Sequence, residues 1–169
     1  MILKKWLRFG DATLVNSGEL VENTGTENEL VEMVEKFNLK QVKFLGKFSM
    51  KEVSEIVNIS DISIVSFKDL PILYTNSPNK FFDSLSAGKP IVVNSAGWTK
   101  EMLEKHRCGF YVNPNNPKEL ADKILFLKNH PEIVEEMGKN SRNLAEIVYD
   151  KSILCRKFVV TVEALFKNL

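Results

Sequence analysis

The chain has 169 residues, 44% hydrophobic and 27% charged, the composition of an ordinary globular protein. Its 23 Lys and Arg against 22 Asp and Glu leave a net charge of +1, which gives no electrostatic case for a nucleic-acid surface. No apolar run reaches the length of a membrane span, the start MILKKWLRFGD lacks a signal-peptide core, and Cys108 and Cys155 have neither metal-ligand nor disulfide spacing. The expectation is one domain over residues 1–169, with free thiols and a cytoplasmic location.

In chain order, short apolar runs alternate with helical periods. ATLVN (12–16) reads as a strand, and NELVEMVEKFNL (28–39) puts Leu30, Val31, Val34 and Phe37 on one helical face. VKFLG (42–46) is a second strand. SMKEVSEIV (49–57) opens a helix with Ser49 and Glu52 in capping-box spacing. DISIVSF (61–67) is a third strand, PIVVN (90–94) a fourth and GFYV (109–112) a fifth, with the helix KEMLEKH (100–106) between the last two. Asn116-Pro117-x-Glu119 starts a helix, Pro131 starts another that either breaks near Gly138 or runs on, and a last helix covers about 152–166. Apolar strands separated by helices predict an α/β fold, a Rossmann-like parallel sheet with helices on both faces. The final helix, rich in Ile, Leu, Val and Phe, is expected to pack on its own domain, an exposed interaction patch being the alternative.

Open parallel sheets bind ligands beyond the carboxyl ends of their strands. There lie SGEL (17–20), GKFS (46–49), FKDLPILYTNSPN (67–79) and SAGW (95–98). The longest leads into TNSPNKFFDSLSAGKP (75–90), where Ser77 reads as an N-cap and Pro78 as the first helical residue. Asn79 and Lys80 follow, so free amides, the positive helix end and an ammonium converge, a setting for phosphate or diphosphate. Helical spacing puts Phe81, Phe82 and Leu85 on one side, and Lys80, Asp83 and Ala87 on another. Asp83 then stands one turn behind the anion end, where a carboxylate can accept from ribose hydroxyls. The bland alternative is a helix start with a solvated Lys80–Asp83 pair. Gly88 is expected to end the helix in a left-handed turn. His106 and His130 read as structural or surface residues, and Trp98 as either packing or a wall of the cleft.

The ordered series ATLVNSG, VKFLGKFSMKEVSEIVNISDISIVSF, SPNKFFDSLSAGKPIVVNSAG and CGFYVNPNNPKELADKI resembles the C-terminal, donor-binding half of GT-B glycosyltransferases of the family 4, or group 1, type. The resemblance implies a nucleotide-sugar donor, UDP- or GDP-linked, retention of configuration, a hexosyltransferase-like role in polysaccharide or other glycan synthesis, and neither metal nor separate cofactor. It carries the ribose contact to Asp83 and the diphosphate contacts to Asn79 and Lys80, with Lys80 the candidate catalytic group. Gly18 and Glu19 fall near the phosphates, and Gly46 to Phe48 form the nucleobase wall. The second acidic position of the family, eight residues before Asp83, is Thr75 here, a departure that bears on the sugar.

The resemblance also implies a first strand and an N-terminal acceptor-binding domain that nothing before ATLVN matches, so a fragment is expected, with a strand gap mid-sheet that a second copy could fill. On that reading the chain alone is inactive. A nucleotide-sugar epimerase of the same architecture and a degenerate binding module stand as alternatives, and peripheral membrane association stays open.

Overall fold

The computed structural model describes residues 14–17, 26–46 and 48–167. In chain order they form β1 (Leu14–Ser17), α1 (Thr26–Lys36), β2 (Val42–Gly46), α2 (Met50–Ile59) and β3 (Ser63–Val65). A 3-10 turn (Pro71–Thr75) leads to α3 (Asn79–Ser86) and β4 (Ile91–Val93). Then come α4 (Trp98–His106), β5 (Gly109–Tyr111), α5 (Pro117–Asn129), α6 (Pro131–Ile147) and α7 (Lys151–Lys167). The alternating α/β order expected from the sequence is present.

All strand pairs are parallel, but they form two sheets: β1-β2, and β3-β4-β5. A doubly wound sheet runs 3-2-1-4-5-6. If the five described strands are taken as members 2 to 6 of that order, the pairs β2-β1 and β3-β4-β5 are the neighbours it requires. One continuous sheet is not formed among the described residues.

The three-stranded sheet is covered on both faces, which is why its central strand β4 is apolar and buried at every position. Val65, Ile91 and Val93 point to one side with Phe81 and Leu85 of α3, Leu103 of α4 and Leu144 of α6. Val92 and Ile64 point to the other, with Leu120 and Leu127 of α5 and Ile133, Val134 and Met137 of α6. Each large apolar side chain fully withdrawn from water contributes about 1.5–3 kcal/mol, so this double layer holds the fold. A small satellite core of Val34, Phe37, Leu39, Val42 and Phe44 lies beside the β1-β2 pair.

Helix α6 runs unbroken through Gly138, and that glycine is where the turn ending α3 meets it. A Cβ on Gly138 would fall 2.5 Å from the Gly88 carbonyl oxygen. Gly88 itself has φ +64°, the left-handed helix end expected from the sequence.

The last helix does not follow expectation. In α7, Leu154, Phe158, Val159, Val160, Leu165 and Phe166 are exposed, so it does not pack on the domain. Its apolar residues are spread around the helix instead of gathered on one side, so no single stripe faces the core. Among the described residues no helix is long and apolar enough to cross a membrane.

Candidate functional site

The site is built at the carboxyl ends of β3, β4 and β5. The segment 66–78 leaves β3 there, and three side chains from the neighbouring connections pin it. Asn94, directly after β4, accepts from the Phe67 amide at 2.8 Å and donates to the Phe67 carbonyl at 2.8 Å. Trp98, the first residue of α4, donates its Nε1 proton to the Asn76 carbonyl at 2.9 Å. Asp69 accepts from the Tyr74 hydroxyl at 2.7 Å and from Nδ2 of Asn115, beyond β5, at 3.2 Å. None of Asn94, Asp69 and Asn115 was singled out from sequence. The available signal was a polar residue closing an apolar strand in PIVVN, which periodicity alone assigns to the strand.

The structure shows Trp98 as a packing residue that also holds the segment before α3. Its indole stacks on Phe82 with centroids 5.9 Å apart and meets the edge of Phe81 at 5.3 Å. Phe81 and Phe82 thus anchor α3, as their spacing predicts. Buried Ser84 fixes the helix further: its hydroxyl donates to the Lys80 carbonyl at 2.6 Å, leaving Ser63 of β3 to donate to it, also at 2.6 Å.

The start of α3 differs from expectation by one residue. Pro78, extended at φ −76° and ψ 127°, is the N-cap, and Ser77 lies outside the helix. Pro78 is buried in that extended shape, which displaces Ser77 from capping reach. No side chain among the described residues caps the helix. The amides of Asn79 and Lys80 therefore have no acceptor from their own helix, and the positive end of α3 is open.

Lys80 and Asp83 are not an ion pair; desolvation is the cause that shifts each. The Lys80 ammonium stands 5.0 Å above the centre of the Phe67 ring, over the end of β3. Packing about it draws it below the usual lysine range. Much of the residue still meets water, so this marks partial desolvation and the ammonium keeps its charge. Asp83 faces elsewhere, into a groove of about 380 Å³ between α2 and α3, with Met50 and Val53 opposite. Burial pushes its carboxyl above the usual range. A partly desolvated cation beside the open helix end and, one turn on, a partly buried carboxylate that faces a separate groove are perturbed groups of the kind that functional sites show.

Of the other candidates, Gly46 ends β2 at φ +76° and Phe48 is half-buried just before the α2 cap. There the expected capping box forms, with the Ser49 amide donating to Glu52 at 2.8 Å. The turn carrying Gly46 and Phe48 thus leads directly into the helix that forms the far wall of the Asp83 groove. Thr75 spends its hydroxyl on the Ile72 carbonyl at 3.2 Å. Gly18 and Glu19 lie outside the described residues.

A second groove of similar size lies at the amino end of β4, beside Lys89, Pro90 and Gly138. It is the poorer candidate. It sits at the wrong end of the strands, and its cations are engaged: Lys89 donates to the Asn58 carbonyl at 2.7 Å, Lys139 to the Glu135 carboxylate at 2.5 Å, and Arg142, which also lines the Asp83 groove, to the Ser86 carbonyl at 2.6 Å.

Known proteins share this fold. The backbone superposes with a TM-score of 0.78 on HepE of Anabaena, solved in complex with UDP, at 21% identity over 90% of this chain and 41% of that one. It matches the C-terminal domain of a group 1 glycosyl transferase, LpcC of Francisella tularensis, with a TM-score of 0.72 and 20% identity, over 89% of this chain and 74% of that one. These likenesses show the Rossmann-like fold of GT-B glycosyltransferases. Among curated relatives, TuaH of Bacillus subtilis, named for teichuronic acid biosynthesis, is 31% identical over 113 residues, 65% of this chain and 28% of that protein. The chain spans 27% to 40% of the length of the curated relatives it matches. The family model for glycosyl transferases group 1 matches residues 2–144, and the chain belongs to that family.

Proposed function

We propose that this chain is the nucleotide-sugar-binding part of a retaining glycosyltransferase that builds a polysaccharide or related glycan. The observation that carries the reading is the open, uncapped start of α3, with Lys80 beside it and Asp83 one turn on. The HepE complex with UDP supports a nucleoside diphosphate as ligand, and the name of TuaH supports a polysaccharide product.

In this reading the diphosphate lies before α3, accepting from the amides of Asn79 and Lys80 and meeting the Lys80 ammonium. Asp83 accepts from the ribose hydroxyls, and the base lies towards Gly46 and Phe48. As the glycosidic bond to the diphosphate breaks, negative charge grows on the leaving oxygen. Preoriented amides and an ammonium already short of water stabilise that charge most, which is how binding becomes catalysis. Thr75 leaves the sugar without the acidic contact expected of the family, so sugar positioning falls to other groups. Acceptor binding and closure over the donor belong to a further domain.

Isothermal titration of the chain with UDP, GDP and their sugars tests the reading. Saturable binding of at least one is expected. A folded sample that binds none at millimolar concentration would overturn it.

A further inference from the structure

We propose that Asn94 is a positioning residue that holds the Lys80 ammonium over the cleft by fixing the Phe67 ring beneath it. The β3-β4 ladder ends at the pair Val65 and Val93. One residue later the Asn94 side chain replaces the backbone ladder, binding both the amide and the carbonyl of Phe67 at 2.8 Å. Two bonds from one planar amide to one residue fix that residue's orientation as well as its place. The Phe67 ring packs against the core that contains Val65 and Phe81, and the Lys80 ammonium lies over its face. Among the described residues Lys80 has no carboxylate partner; the shift of its ammonium has burial as its cause. The ring is thus its fixed neighbour, and Asn94 fixes the ring.

Two measurements test this on the full chain. The first is independent of any ligand. Reductive methylation with ¹³C-formaldehyde gives each lysine a dimethyl signal, and that of Lys80 is the one lost in Lys80→Arg. It is expected upfield of the solvated lysines, through the ring current of Phe67, and to lose that shift in Phe67→Leu. Asn94→Ala and Asn94→Asp are expected to lose it too. The aspartate keeps the size and the acceptor for the Phe67 amide, so it decides the matter if the alanine variant does not fold. A folded Asn94 variant that keeps the upfield signal would overturn the proposal.

The second measurement rests on the nucleotide reading above. Asn94→Ala is expected to weaken UDP about two- to fivefold, the size of an exposed cation–π contact. It should leave uridine unchanged and have no effect in a Lys80→Ala background. Equal losses for UDP and uridine would contradict the proposal. If the wild-type chain binds neither, the nucleotide reading fails while the methyl signal still decides the role of Asn94.

Discussion

The carbonyl oxygen of Tyr74 occupies the space a side chain on residue 97 would need: a Cβ on Gly97 falls 1.8 Å from it. The 3-10 turn and the start of α4 are thereby pressed backbone to backbone, and the Trp98 to Asn76 bond closes the contact. Gly97→Ala is expected to push the turn outward and to destabilise the fold by about 1–3 kcal/mol. Denaturant titration measures the loss, and limited proteolysis should show new cleavage within 68–76.

Asp83 carries two opposite expectations. Asp83→Ala should weaken nucleotide binding by about 1–3 kcal/mol through loss of a charged hydrogen bond, read by titration. Unchanged affinity would remove Asp83 from the site.

The same carboxylate should cost stability. Burial raises its pKa, so the folded state holds the proton more tightly than the unfolded chain does. The stability linked to that proton is fully present below the ordinary carboxylate pKa and is lost as pH rises through the folded value. Asp83→Asn is therefore expected to melt above the wild type at neutral pH, with the gap closing as pH falls below the ordinary aspartate range. A variant that melts lower at neutral pH would contradict the assigned environment.

The two thiols should behave differently. Burial pushes the Cys108 thiol up to about 11, while Cys155 is exposed on α7. At pH 8 a thiol-reactive dye should label one cysteine quickly in the folded protein and both in denaturant. Fast labelling of both in the folded state would show that the sheet opens around Cys108.

Much of this was legible in the residues. Apolar runs at every position of IVV marked a strand covered on both faces, and Ser49 with Glu52 marked the start of α2. Helical spacing placed Phe81 and Leu85 in the core. What stayed hidden depends on contacts between distant segments. Asn94 and Phe67 are 27 residues apart, and Asp69 and Asn115 are 46 apart, so no local pattern reveals them. Ser77 missed the cap because Pro78, free to be either a first helical residue or an extended one, took the extended form. Lys80 and Asp83 do share a helix side by spacing. Their side chains diverge nonetheless, the long Lys80 stem to the Phe67 ring and the short Asp83 carboxylate to the groove against α2.

The central claim, that the start of α3 and Asp83 hold a nucleoside diphosphate, is tested most directly by an amide chemical-shift map. UDP and then GDP would be added to ¹⁵N-labelled chain. The account expects the largest shifts at Asn79, Lys80 and Asp83, with a second group from Gly46 to Met50. Largest shifts at Lys89 and Gly138, on the amino-end groove, or none at all, would contradict it.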